Sequence, residues 1–402
     1  MAAALEGIRI ADFSHVIAGP YCTMVLADMG AEVIKIEPPE GDAARGYRPP
    51  DIGGESAVFL SYNRNKRGVV LDLSKPEGRE VAQDIVARAD VLVENFATGV
   101  MQRLGLDYAA VKENNPRLIY CSISAYGRSG SFATRAGYDQ VVQAESGFMS
   151  LNGYPDRDPL RTPLALIDVT TGMYAAQAIL AALYARHSSG LGQYIEAALF
   201  DNAFALTAYY TFNYLATGDD PAPPGNKSPA AAPIDVFMAK DAKFFLTVAG
   251  ERVWKKLLEA LDNPEELMSA NFASNAMRLQ NISPLSAALN HIFSQRTRDE
   301  WMQKFRASGV PAGPIRTISE AVASPEAKER GVLTDIPHTG AGSVPNLRLP
   351  MTMSGTPLVA ARGAPLLGEH TRAVLEETLG YDNERIGGLE RVGAIRPISR
   401  KP

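Results

Sequence analysis

Short apolar, β-branched runs alternate with helix-period segments through the first part of the chain. IRIADFS reads as a strand, PYCTMVLADMG as a helix closing on Gly30, and AEVIKIE as the next strand. VVLDL, a helix from Pro76 through Ala87 and the strand DVLVENF repeat this βαβ rhythm, with Pro76 in the first helical turn and Glu77 beside it as start signals. RLIYCSIS, around Cys121, supplies another buried strand. Alternating strands and helices predict an α/β fold: a mostly parallel sheet covered on both faces, with ligands at the carboxyl ends of its strands.

The pattern changes between Asp219 and Pro233, where DDPAPPGNKSPAAAP can continue neither a helix nor a central strand. Beyond it, a strand-like FFLTVAG and helices around Val253 to Ala260, Pro284 to Ser294 and Thr297 to Ser308 predict a separate α+β unit. After about Pro325 the chain reads as loop-rich, through GAGSVPNLRLPMTMSGTP, before the helical HTRAVLEETLG.

One helix pattern carries a candidate for chemistry. In LALIDVTTGMYAAQAILAALYAR an apolar entry runs into Asp168 just before a long apolar helix. An Asp ahead of a helix is expected to cap it by accepting from a backbone N–H, and the positive helix start favours the ionised carboxylate. Apolar neighbours raise such a pKa and amide donors lower it; if the donors win, the site holds a poorly hydrated carboxylate ready to attack a carbonyl. Thr170, Thr171 and Gly172 behind it leave room for a ligand, and Gly172 costs helix stability, which implies a use.

The composition, 46% hydrophobic and 21% charged over 402 residues, is that of a soluble globular protein with room for one large or two modest domains. A formal charge of −5 argues against nucleic-acid and anionic-membrane partners. Cys22 and Cys121 are too few and too separated for a disulfide framework, and His15, His187, His291, His338 and His370 show no metal-ligand spacing, so no metal site is expected. The start lacks a basic leader and no run reaches about 18 apolar residues, so the expected location is cytoplasmic. HVIAGPYCT stands where GxGxxG would follow the first strand, which disfavours a dinucleotide fold with the usual phosphate turn. The basic string NRNKR (63–67) and Arg103 are candidates to meet phosphates, and His15, just past the first strand, to touch substrate.

The segments DFSHVIAGPYCT, GAEVIKIEPPEGD, NRNKRGVVLDLSKPEG, ADVLVENFATGVMQRLGL, the Asp168 helix, GVPAGPI and GEHTRAVLEETLGY, in this order, resemble the class III coenzyme A transferases. That family, which has formyl-CoA and carnitine-CoA transferase-like members, also contains the alpha-methylacyl-CoA racemases. The resemblance implies that Asp168 is the nucleophile, forming first a mixed anhydride with the acyl group and then an aspartyl-CoA thioester. It implies that CoA, a substrate and carrier rather than a tightly bound cofactor, lies along Ile17, Ala18, Leu71, Asp72, Leu73, Ser74, Asn95, Phe96, Ala97, Arg103, Arg135, Ala136, Gly137 and Tyr138. Pro38 and Ser74 stand where some members carry basic residues. The racemases resembled here place a His at Tyr138; an unperturbed phenol titrates near 10 and is a poor base at neutral pH. PPGNKSPAAAP replaces the glycine-rich loop of the formate and oxalate enzymes, which points to a larger donor such as succinyl-CoA or a related dicarboxylyl-CoA and to small carboxylic acids as acceptors. The alternatives are a racemase and a non-catalytic CoA-ester-binding protein. The resemblance further implies an interlocked homodimer, each chain having a Rossmann-like large domain (1–225 and 326–402) and a smaller α+β domain (226–325).

Overall fold

A computed structural model describes residues 2–396. Six strands form one sheet: β1 (Arg9–Asp12), β2 (Glu32–Glu37), β3 (Lys66–Val70), β4 (Val91–Glu94), β5 (Ile119–Ser124) and β6 (Tyr194–Ala198), in the spatial order β3-β2-β1-β4-β5-β6. Every pairing is parallel, with Ile10 opposite Val33 on one side and Val91 on the other. The winding therefore reverses between β1 and β4. In such sheets the crevice beyond the carboxyl ends of those two strands is where ligands bind.

The two-residue period of the strands sends alternate side chains to two separate cores. Ile10, Val33, Val91, Val93, Ile119 and Cys121 face helices α1 (Ala18–Asp28) and α4 (Leu166–Ser189). Ala11, Ile34, Val69, Leu92 and Tyr120 face α2 (Pro76–Ala87) and the helices Thr371–Glu377 and Asn383–Arg391. Both faces being covered explains why the strands read as continuous apolar runs. The helices α3 (Asp139–Glu145) and α5 (Leu199–Thr217) pack against α4.

By length and composition α4 would cross a membrane, against the expectation that no run is so apolar. Its apolar character serves burial instead: Ile167, Ala175, Ala176, Ile179, Ala182 and Leu183 lie in the core.

The chain divides into two compact units, one comprising the chain up to Phe148, Arg161–Thr217 and the chain from Arg330, the other Met149–Leu160 and Gly218–Glu329. The second unit thus includes 149–160, assigned to the large domain in the sequence reading, and extends a few residues beyond both ends of 226–325. Its antiparallel three-stranded sheet, Ile234–Met238, Lys243–Thr247 and Ala312–Pro314, shares with three helices an aromatic core of Phe237, Phe244, Phe293, Trp301 and Phe305. Among these helices Arg298–Ser308 starts with a capping box made by Thr297 and Glu300.

The segment expected to be loop-rich after Pro325 contains a hairpin, Leu333–His338 paired with Gly342–Leu347. Pro337 and Pro345 mask it in the sequence. A two-stranded ribbon has only edge strands, and there a proline can leave its missing N–H on the unpaired side.

Candidate active site

A cavity of about 390 Å³ opens at the carboxyl ends of β1 and β4, where the winding reverses. Four segments and the starts of two helices build its wall, among them residues 123–128 at the end of β5 and Leu199 at the start of α5. His15, Ile17 and Ala18 follow β1, Asn95, Phe96 and Ala97 follow β4, Arg135 to Tyr138 lead into α3, and Asp168 sits in the first turn of α4. The structure thus brings together eleven of the residues singled out from sequence, His15 among them.

Leu71, Asp72, Leu73, Ser74 and Arg103 do not line this cavity. Leu71 is fully buried and its backbone bridges Ile395, which leaves it no surface for a ligand. Asp72 accepts from the Ser74 amide at 3.0 Å, closing a turn after β3. The string NRNKR also turns inward. Arg64 grips Asp28 with two nitrogens, Lys66 reaches Asp12 at 3.0 Å, and Arg67 bridges Glu32 and Glu377, so these charges hold the fold together.

The capping expectation for Asp168 is corrected. The helix begins at Leu166, flanked by Ala165 without a side-chain cap, and Asp168 is its third residue. The acceptor for the helix start comes from a distant point in the chain: Asp139 Oδ2 accepts the amides of Ile167 at 2.8 Å and Asp168 at 3.1 Å. Asp139 is buried, and Gln143 donates to its other oxygen while accepting the Thr162 amide at 2.9 Å. From the opposite side Asn202 donates to Ile167 O at 3.0 Å and to the hydroxyls of Thr170 and Thr171. The first turn is therefore clamped from α3 and from α5.

This arrangement decides the electrostatic contest. The donors expected to stabilise Asp168 are taken by Asp139. Burial, with the neighbouring Asp139 charge as a second cause, raises the Asp168 carboxyl to about 7. Asp168 is thus poised between acid and carboxylate at neutral pH, where a carboxyl can act as a nucleophile and leave again.

Gly172 has a use, though not the one its position suggested. A Cβ there would lie 2.4 Å from the carbonyl oxygen of Ala18, so the glycine lets the backbone of α1, rather than a ligand, approach α4. The close crossing sets Ala18 and Asp168 into one cavity.

Several residues of the site escaped the sequence reading. Arg128 lines the cavity, donates to Phe96 O at 2.7 Å and pairs with Glu94 at 3.1 Å, pinning the segment after β4 to the segment after β5. Burial raises Glu94 despite that pair. The phenols of Tyr47 and Tyr62 are raised chiefly by burial, with the Asp168 charge contributing to both. Arg128 stood in a Gly- and Ser-flanked turn and the tyrosines in unassigned stretches; no local pattern marks any of them. Burial lowers His15, whose ring packs 5.1 Å from that of Phe96, so it is neutral at pH 7. Burial pushes Cys22 well up and Cys121 to about 12, which makes both inert packing residues. Among the described residues no group of three or more His, Cys, Asp and Glu side chains is placed to hold a metal ion.

The profile of CoA-transferase family III matches residues 5–371. The chain belongs to that family. It is 35% identical to the human succinyl-CoA:glutarate CoA-transferase over 97% of this chain and 90% of the human protein. It is 38% identical to the succinate–glutarate CoA-transferase of Agrobacterium fabrum, over 93% of this chain and 95% of that protein. A solved structure of a CAIB/BAIF family protein from Brucella suis superimposes with a TM-score of 0.85 at 38% identity, covering 94% of this chain and all of the other. As a class III CoA-transferase the protein is an enzyme whose substrates are CoA esters.

Proposed function

We propose that the protein moves CoA from succinyl-CoA, or a related dicarboxylyl-CoA, to a small dicarboxylic acid, with Asp168 as the covalent nucleophile. The observation that carries this reading is the Asp168 carboxyl at about 7 in the wall of the cavity at the winding reversal. The succinyl-CoA and glutarate specificities named for relatives at 35–38% identity support the substrate class.

In the first step a carboxylate oxygen of Asp168 attacks the thioester carbonyl; a C–O bond forms, the C–S bond breaks, and CoA leaves as thiolate. The thiolate then attacks the aspartyl carbonyl of the anhydride. The anhydride C–O bond breaks, and succinate departs carrying one Asp168 oxygen. The acceptor carboxylate attacks the aspartyl-CoA thioester, and the released thiolate attacks the acceptor's carbonyl in the new anhydride. Product acyl-CoA leaves and the Asp168 carboxylate is restored. Electron pairs stay with sulfur and oxygen throughout, and every step is acyl transfer.

The pantetheine arm is placed along Ile17, Ala18 and Asn95 to Ala97, with Arg135 to Tyr138 opposite; the nucleotide end continues outside the cavity toward Asp72 to Ser74 and Arg103. The side-chain amide of Asn95 is spent on the His15 backbone, at 2.8 and 2.9 Å, so its part is to shape the wall. Tyr138 in place of a basic His disfavours the racemase reading.

The functional unit is proposed to be an interlocked homodimer in the cytoplasm. Tyr184 on α4 and Phe212, Leu215 and Tyr209 on α5 are 81%, 71%, 70% and 56% exposed, more apolar surface than a lone chain usually leaves to water. A panel of carboxylic acids offered with succinyl-CoA tests the reading. Transfer to a dicarboxylate, abolished in Asp168→Ala while CoA-ester binding persists, supports it; Asp168→Ala with wild-type turnover overturns it.

A further inference from the structure

The wall that carries His15, Ile17 and Ala18 turns at Val16, whose φ is +69°. A β-branched residue in the left-handed region is an outlier, because its side chain crowds the backbone there, and glycine is the usual occupant. Strain of this kind persists only where the surroundings over-determine it.

What over-determines it lies behind the wall. The Val16 amide donates to Asp42, which does not line the cavity, at 3.1 Å to Oδ1 and 3.3 Å to Oδ2. Asp42 is held in turn by Lys35, whose ammonium stands 2.8 Å from Oδ2 and donates to Ser14 O at 2.9 Å. Neither side chain of this pair is exposed. Asp42 also accepts the Ala44 amide at 2.9 Å, and its own amide donates to Glu37 at 2.9 Å, so the carboxylate cannot drift. Asn95 fastens the preceding residue, His15, by both backbone groups.

A buried ion pair is a weak device for stability, since apolar residues of similar volume commonly do as well. It is a good device for fixing one geometry. Here the Lys35–Asp42 pair presents a charged acceptor to the amide of the one left-handed residue in this part of the wall.

We propose that Asp42 and Lys35 are positioning residues for the transfer reaction: they hold Val16 in its left-handed conformation and thereby set the His15 to Ala18 wall against the Asp168 nucleophile. This inference rests on the proposed function. Without the pair the backbone at Val16 relaxes toward negative φ, the wall shifts, and the cavity is correctly formed for only a fraction of the time. Relaxation of one left-handed β-branched residue corresponds to a population change on the order of tenfold.

The test is a double-mutant cycle. Lys35→Met/Asp42→Ala removes both charges together, so no unpaired buried charge remains. Its kcat/KM for succinyl-CoA is expected to fall on the order of tenfold. Adding Val16→Gly, which makes positive φ free of strain, is expected to restore most of that loss when referred to Val16→Gly alone. A purely structural pair would show no such rescue. The inference is overturned by a folded Lys35→Met/Asp42→Ala enzyme with wild-type kcat/KM, or by a loss of equal size with and without Val16→Gly. If the charge-free variant fails to fold by its thermal transition, Asp42→Asn is carried through the same cycle, with a smaller loss and the same rescue required. Wild type assayed alongside separates the two failures: a wild type that transfers no CoA refutes the proposed function, whereas a working wild type without coupling refutes only this inference.

Discussion

Asp139 accepts the backbone amide of Asp168 at 3.1 Å, so one carboxylate caps the helix whose first turn carries the other. The two acids play opposite parts. Asp139 is buried, and its carboxylate accepts from Ile167, Asp168 and Gln143. Asp168, deprived of those donors and facing that charge, has its carboxyl raised to about 7.

The first prediction concerns pH. Only the Asp168 carboxylate can attack, so kcat/KM for succinyl-CoA is expected to rise with pH and level off above an apparent pKa near 7. A flat profile from pH 5.5 to 8.5 contradicts the environment described for Asp168.

Asp139→Asn removes the charge while keeping an acceptor oxygen for the helix amides. The acidic limb of the profile is expected to move to lower pH, because the second cause of the Asp168 shift is gone. Asp139→Ala is expected to cost about 1–3 kcal/mol of stability, since it strands buried donors at the helix start. Urea melts and pH-rate profiles of both variants check this.

Stability should trade against function at Asp168 itself. Its folded-state pKa, about 7, lies above the ordinary value of 3.8, so the native state holds its proton more tightly than the unfolded chain. This contribution is unfavourable to the fold as pH rises from about 4 and reaches its full size above about 7. Asp168→Asn is therefore expected to be inactive yet more stable at pH 8, by up to about 4 kcal/mol, with the gain fading toward pH 4. Melting curves at the two pH values measure it. A variant less stable than wild type at pH 8 contradicts it.

Gly172→Ala sets two effects against each other. In an open helix the change stabilises by up to about 1 kcal/mol. Here the new Cβ would meet Ala18 O at 2.4 Å, a backbone atom that must move. Overpacking costs typically about 1–3 kcal/mol, so net destabilisation is expected, together with lost transfer as α1 is pushed away from Asp168. A Tm at or above that of wild type would show that the helices separate freely.

The sheet was legible because both of its faces are buried, which leaves β-branched and apolar stretches such as VLVE and IYCSIS that no helix period explains. The edge strand Tyr194–Ala198 was missed, its residues alternating between exposed and half-buried. Asp168 stood out as a charge in an apolar setting. Its environment did not, since that depends on Asp139, twenty-nine residues earlier in the chain. Arg128 was invisible for the same reason: it owes its place to Phe96 and Glu94, which lie in another segment. Gly172 and NRNKR were noticed with their uses misjudged, because sequence shows which residue is unusual but not which neighbour it meets.

Covalent capture tests the central claim most directly. Wild-type enzyme mixed with succinyl-CoA, quenched in acid and digested, is examined for the peptide that contains Asp168. The account predicts that peptide as a CoA thioester, converted by hydroxylamine to the hydroxamate of Asp168 and discharged by addition of an acceptor acid. An unmodified Asp168 peptide from enzyme that is turning over, or the adduct on any other residue, would contradict it.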